Sequence, residues 1–73
     1  MFTIKSESDE GVYYLVNNWN RHRTFWASPA DYQESMGFSR AQDAKASLTK
    51  LLKVMPEYRN DRFTLVWVQG GNR

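Results

Sequence analysis

The sequence predicts a small α+β fold: a four-stranded, mostly antiparallel sheet in the order β-β-β-α-β, with one amphipathic helix packed across one face. Two observations carry this. Ala41, Ala44, Leu48, Leu51, Leu52 and Met55 fall on one stripe when residues 39–55 are wound at about 3.6 residues per turn. Around that helix lie short β-prone segments separated by turn chemistry, three before it and one after.

In chain order, residues 2–6 (Phe-Thr-Ile-Lys-Ser) alternate apolar and polar, the period of a half-buried strand. Ser8, Asp9, Glu10 and Gly11 form a turn, with Gly11 able to supply a positive φ. Residues 12–16 are apolar on both faces, as in a strand inside a sheet. A turn at residues 18–21 follows, then a third strand over residues 22–27. Ser28, Pro29 and Asp31 predict a short helical or 3₁₀ turn that ends near Gly37.

The main helix is expected to start at a capping box, Ser39 with Gln42, and to stop before Pro56, because a proline forces the preceding residue out of helical dihedrals. Residues 57–61 read as a polar loop and residues 62–68 as a strongly β-prone fourth strand. The predicted strand order is third, second, first, fourth. The fourth strand is expected to point the same way as the first and third, with parallel pairing to the third as the alternative. Residues 1–69 form one domain on this reading, and residues 70–73 a flexible tail.

Composition narrows the function classes. A chain of 73 residues holds one small core, and an aromatic content of 15% supplies large rings that bury much area each. The chain lacks cysteine, which excludes disulfides and thiolate zinc sites, and its first residues have neither the basic nor the apolar region of a signal peptide. With no apolar run near the roughly 20 residues that span a bilayer, a cytoplasmic location is expected. Charge is mildly polarised: residues 1–34 carry three basic against five acidic residues, and residues 35–73 seven against three. That is well short of a dedicated nucleic-acid footprint.

Catalytic constellations are not found. The single histidine, His22, sits between Arg21 and Arg23, with no cysteine nucleophile for it to activate. Glu7, Asp9 and Glu10 are a solvated turn tip, and Gly70-Gly71 follows the last strand rather than opening a helix. No catalytic, cofactor or metal residues are assigned, and the sequence predicts a non-enzyme.

Two features point instead to binding. Residues 18–26 interleave Trp19, Arg21, Arg23 and Trp26 with amides, a surface able to anchor a protein or to stack bases and contact phosphates. One helix covers one sheet face, so Tyr13, Leu15, Val66 and Val68 are expected to line an open apolar face. The leading expectation is a protein-binding module using Tyr13, Trp19, Arg21, Arg23 and Trp26, with a hetero-partner or a second copy as the partner. The alternative is a nucleic-acid binder using Trp19, Arg21 and Arg23 with Lys45, Lys50 and Lys53. In size and composition the cysteine-free, aromatic-rich chain resembles small accessory proteins of bacteriophages. That resemblance implies binding to and inhibition of a host protein, and assigns no residues.

Overall fold

A computed structural model describes residues 1–19 and 24–68. It contains β1 (Phe2–Ser8), β2 (Gly11–Leu15), β3 (Trp26–Ala27), α1 (Ala41–Val54) and β4 (Arg62–Trp67), with 3₁₀ turns at Glu34–Met36 and Pro56–Asn60. The strands form one sheet in the order β3-β2-β1-β4, and α1 packs on β1 and β4. The predicted fold class and strand order are therefore observed.

The β1–β2 hairpin closes as its turn residues dictate. Ser8 pairs with Gly11, which takes φ 126°, a conformation that costs residues with a Cβ far more than it costs glycine. Of the expected third strand, residues 22 and 23 lie outside the described residues; regular pairing covers Trp26 and Ala27, extended by a bond from the Val16 amide to the Phe25 carbonyl. The tail assigned to residues 70–73 lies outside the described residues.

The direction of β4 corrects the sequence reading. β4 runs antiparallel to β1, with Phe2 opposite Trp67 and Glu7 opposite Arg62, so all three strand pairings are antiparallel. The cause is the connection after β3. It crosses back to the start of β1, where Phe2 and Phe38 exchange backbone hydrogen bonds of 2.7 and 2.8 Å. From there α1 runs in the same sense as β1, and β4 must return. Asn17 holds this crossing in place, its side-chain amide donating to the carbonyls of Ser35 (2.8 Å) and Gly37 (2.7 Å).

The same bridge moves the helix start. Phe38 is held in the ladder, Ser39 is still leaving it, and Arg40 becomes the N-cap, with extended dihedrals and no side-chain cap. The expected Ser39–Gln42 capping box is not formed; Arg40 Nε instead lies 3.5 Å from Asp43 Oδ2. The helix ends at Val54, just before Met55 and Pro56, as the sequence predicts. Residues 57–61, expected as a loop, are largely a 3₁₀ turn that starts at Pro56.

The register sorts the sheet into two faces. Phe2, Ile4, Ser6, Tyr13, Leu15, Trp26, Phe63, Leu65 and Trp67 share the helix side. Ile4, Leu15, Trp19, Phe38, Ala44 and Leu51 form the buried core there, with Leu48 and Met55 packed against it. Leu15 and Tyr13 thus do not line an open face.

The second face carries Thr3, Lys5, Tyr14, Ala27, Thr64 and Val66, and the crossing segment covers part of it. Tyr32 packs edge-on against Tyr14 with centroids 5.1 Å apart, and Thr3 and Ala27 are buried. The Tyr32 hydroxyl is itself buried without a hydrogen-bond partner of good geometry. Burial raises its pKa above the usual phenol value; the nearby Thr3 hydroxyl offsets part of that rise, and Tyr14 adds a smaller increment. The Thr3 hydroxyl itself donates to the Leu15 carbonyl at 2.9 Å.

Candidate interaction surface

The residues singled out from the sequence do not converge on one hairpin. Trp19 is corrected outright: it is 6% exposed, belongs to the core, packs on Phe25 at 5.5 Å, and donates its indole N–H to Ser47 Oγ at 2.8 Å. A ring so placed has no face free to anchor a partner or stack a base. Arg21 and Arg23 lie outside the described residues. Lys45, Lys50 and Lys53 are exposed on the outer side of α1.

Tyr13 and Trp26 are brought together, in company the sequence did not suggest. With Tyr58 they line a cleft of about 200 Å³, whose remaining walls are Ser6, Ser8, Glu10 and Asp61. Two small serines open this space. Ser6, opposite both Tyr13 and Phe63, leaves room above the sheet for the large rings around it. Trp26 stacks on Phe63 at 6.0 Å and 11°, and meets Tyr58 edge-on at 5.6 Å and 82°. Tyr58 also touches Phe25 at 6.3 Å, so the wall is fixed from two sides.

Two carboxylates stand among these rings. Asp61 accepts a hydrogen bond from Ser6 Oγ at 3.0 Å, which fixes its position. Glu10 is exposed on the hairpin turn, where its amide is held by Ser8 Oγ at 3.2 Å. An adjoining polar cleft adds Glu7 and Asp9, with Arg62 as its basic member. This end of the molecule thus combines negative charge with electron-rich ring faces.

The second part of the surface is the outer edge of β4. Met1 and Val68 exchange backbone bonds (2.8 and 3.2 Å), which sets the alternation of the β1–β4 ladder. Arg62, Thr64 and Val66 direct their peptide groups to β1, and Phe63, Leu65 and Trp67 direct theirs outward. Among the described residues no strand pairs on that side. Trp67 is 64% exposed even though its ring meets Phe2 at 4.9 Å. A shallow groove lined by Thr49, Leu52, Lys53, Arg59 and Phe63 runs beside this edge.

The sequence reading missed Tyr58, Glu10 and Asp61. Tyr58 was hidden in a segment that looked like solvated loop, although a large ring two residues beyond a helix-stopping proline is a signal of packing. Among the described residues no cluster of three or more His, Cys, Asp or Glu could hold a metal ion, and no helix is long and apolar enough to cross a membrane. No protein family, curated protein or solved structure matches this chain.

Proposed function

We propose that this chain is a non-enzymatic module that binds another protein along the outer edge of β4 and the aromatic cleft that Phe63 joins to it. The observation that carries the reading is the edge itself. Natural proteins blunt exposed edge strands with lysine, proline, bulges or a covering segment, because unpaired peptide groups recruit other chains. Residues 63–68 (Phe-Thr-Leu-Val-Trp-Val) carry no lysine, no proline and no charge, and among the described residues no strand pairs with their outer edge. Such a strand is suited to β-augmentation, in which a partner's extended segment supplies the missing hydrogen bonds and side-chain pockets supply selectivity. Blocking a host protein, as phage accessory proteins do, is one way such an edge acts.

Thr64 is exposed on the face away from the core, so Thr64→Lys blunts the edge without disturbing the helix side. The test is capture from a bacterial lysate with mass spectrometry, together with sedimentation at micromolar concentration. The wild type should hold a specific protein or a second copy, and Thr64→Lys should lose it. A wild type that stays monomeric and captures nothing, or a variant that binds as well as the wild type, refutes the reading.

The nucleic-acid alternative keeps the exposed lysines of α1 but loses its stacking ring at Trp19. It requires oligonucleotide affinity that falls linearly in log-log form with salt, at a slope of roughly −0.7 per phosphate contact for single strands, and that needs Arg21 and Arg23.

A further inference from the structure

We infer that the cleft between Tyr13, Trp26 and Tyr58 is an aromatic cage for an alkylammonium cation, presented as a lysine-type side chain by the partner protein. Three aromatic residues line one small cleft, and two of them, Trp26 and Tyr58, meet nearly at right angles. A cation seated there lies beside three rings, two of them set at 82° to one another, and aromatic rings attract ammonium groups through their faces. Glu10 and Asp61 stand in the same walls and add full negative charge. A volume of about 200 Å³ suits a head group and the last carbons of its stem, and the rim is open enough for the stem to enter from outside.

Among the described residues, no basic side chain lines the cleft. Arg62 lies in the adjoining polar cleft, and Arg59 and Lys53 line the groove beside β4. Lys5 pairs with Glu7 at 3.7 Å on the other face of the sheet. Glu10 and Asp61 are thus matched by no cation of the described residues within the cleft, which leaves their charge for an incoming one. A guanidinium is planar and is best met by stacking on one ring or by a bidentate carboxylate. A cleft walled by rings from several sides favours the rounder alkylammonium.

The assignment of the cation to a partner protein rests on the protein-binding reading; the cage chemistry does not. The probe is tetramethylammonium chloride, followed through the indole and backbone resonances of isotope-labelled protein. tert-Butanol serves as the neutral isostere, and sodium chloride matches ionic strength. Tetramethylammonium should give saturable shifts at Trp26 and Tyr58 that tert-butanol and sodium chloride do not reproduce. Glu10→Gln, at an exposed turn position, and Asp61→Asn, which keeps the acceptor for Ser6, should each weaken binding about two- to fivefold, as expected for loss of one partly exposed charge. Both variants should melt with the wild type, which separates binding from folding.

A short trimethyllysine peptide should bind, and the same peptide with norleucine should not. Equal response to tert-butanol, no saturable response to tetramethylammonium, or equal binding of the norleucine peptide overturns the cage. Failure of the cage with Thr64→Lys still abolishing partner capture leaves the edge reading standing. Cation binding without any captured protein does the reverse.

Discussion

Trp19 offers the sharpest test of the structure, because the sequence placed it on a binding surface and the fold places it inside. Its ring is 6% exposed, packs on Phe25, and bonds through Nε1 to Ser47 at 2.8 Å. Removing a buried tryptophan ring costs about 3–5 kcal/mol. A domain of 73 residues has a total stability of about 4–11 kcal/mol at typical values per residue. Trp19→Ala should therefore leave the protein marginal or unfolded, with a melting temperature lower by at least about 12 °C.

Ser47→Ala isolates the polar part. It leaves the indole N–H enclosed without an acceptor, a loss of about 1–3 kcal/mol. Trp19→Phe removes the donor and keeps an aromatic filler, so it should fall between wild type and Trp19→Ala. Combining Trp19→Phe with Ser47→Ala should cost less than the two changes summed, because each breaks the same bond. Thermal and urea denaturation followed by circular dichroism reads all four variants. A Trp19→Ala protein within about 1 kcal/mol of wild type would put the ring at the surface and refute the core described here.

Leu51 is fully buried in the contact of α1 with the sheet, so Leu51→Ala should cost about 2–5 kcal/mol in the same denaturation assay, and wild-type stability would mean the helix docks by another face. Tyr32→Phe should be neutral or slightly stabilising near neutral pH, since the hydroxyl it removes is buried without a bond. Burial raises the Tyr32 pKa in the folded state above 10.0, so its neutral form contributes stability that is present below the unfolded value and lost as pH rises through the folded one. Wild type should thus lose stability relative to Tyr32→Phe in the alkaline range above that value, measured by urea midpoints across pH. An unchanged difference between the two proteins at all pH values would count against the buried hydroxyl.

What the sequence determined by itself is what depends on near neighbours. The stripe from Ala41 to Met55 and the stop at Pro56 required one helix, and the core finds Ala44 and Leu51 buried on that stripe. The alternation in β1 and the turn at Gly11 required a hairpin, and strand propensity after residue 61 required β4. Each of these signals is complete within about fifteen consecutive residues, so tertiary packing had little to overrule.

The tertiary structure decided what depends on where the chain returns. The Phe2–Phe38 bridge reset the path of the chain, displaced the helix cap from Ser39 to Arg40, and turned β4 antiparallel to β1. No local pattern encodes a contact between residues 2 and 38. The same holds for side chains with two acceptable environments. Trp19 satisfied its N–H on Ser47, 28 positions away, and so could be buried; Trp67, at the end of an edge strand, stayed largely in solvent. The cleft that gathers Tyr13, Trp26, Tyr58, Glu10 and Asp61 exists only because two strands, one hairpin turn and one 3₁₀ turn meet above the small side chain of Ser6. An aromatic ring reads alike in sequence whether it fills a core or walls a site, and only the closure of the sheet distinguishes the two.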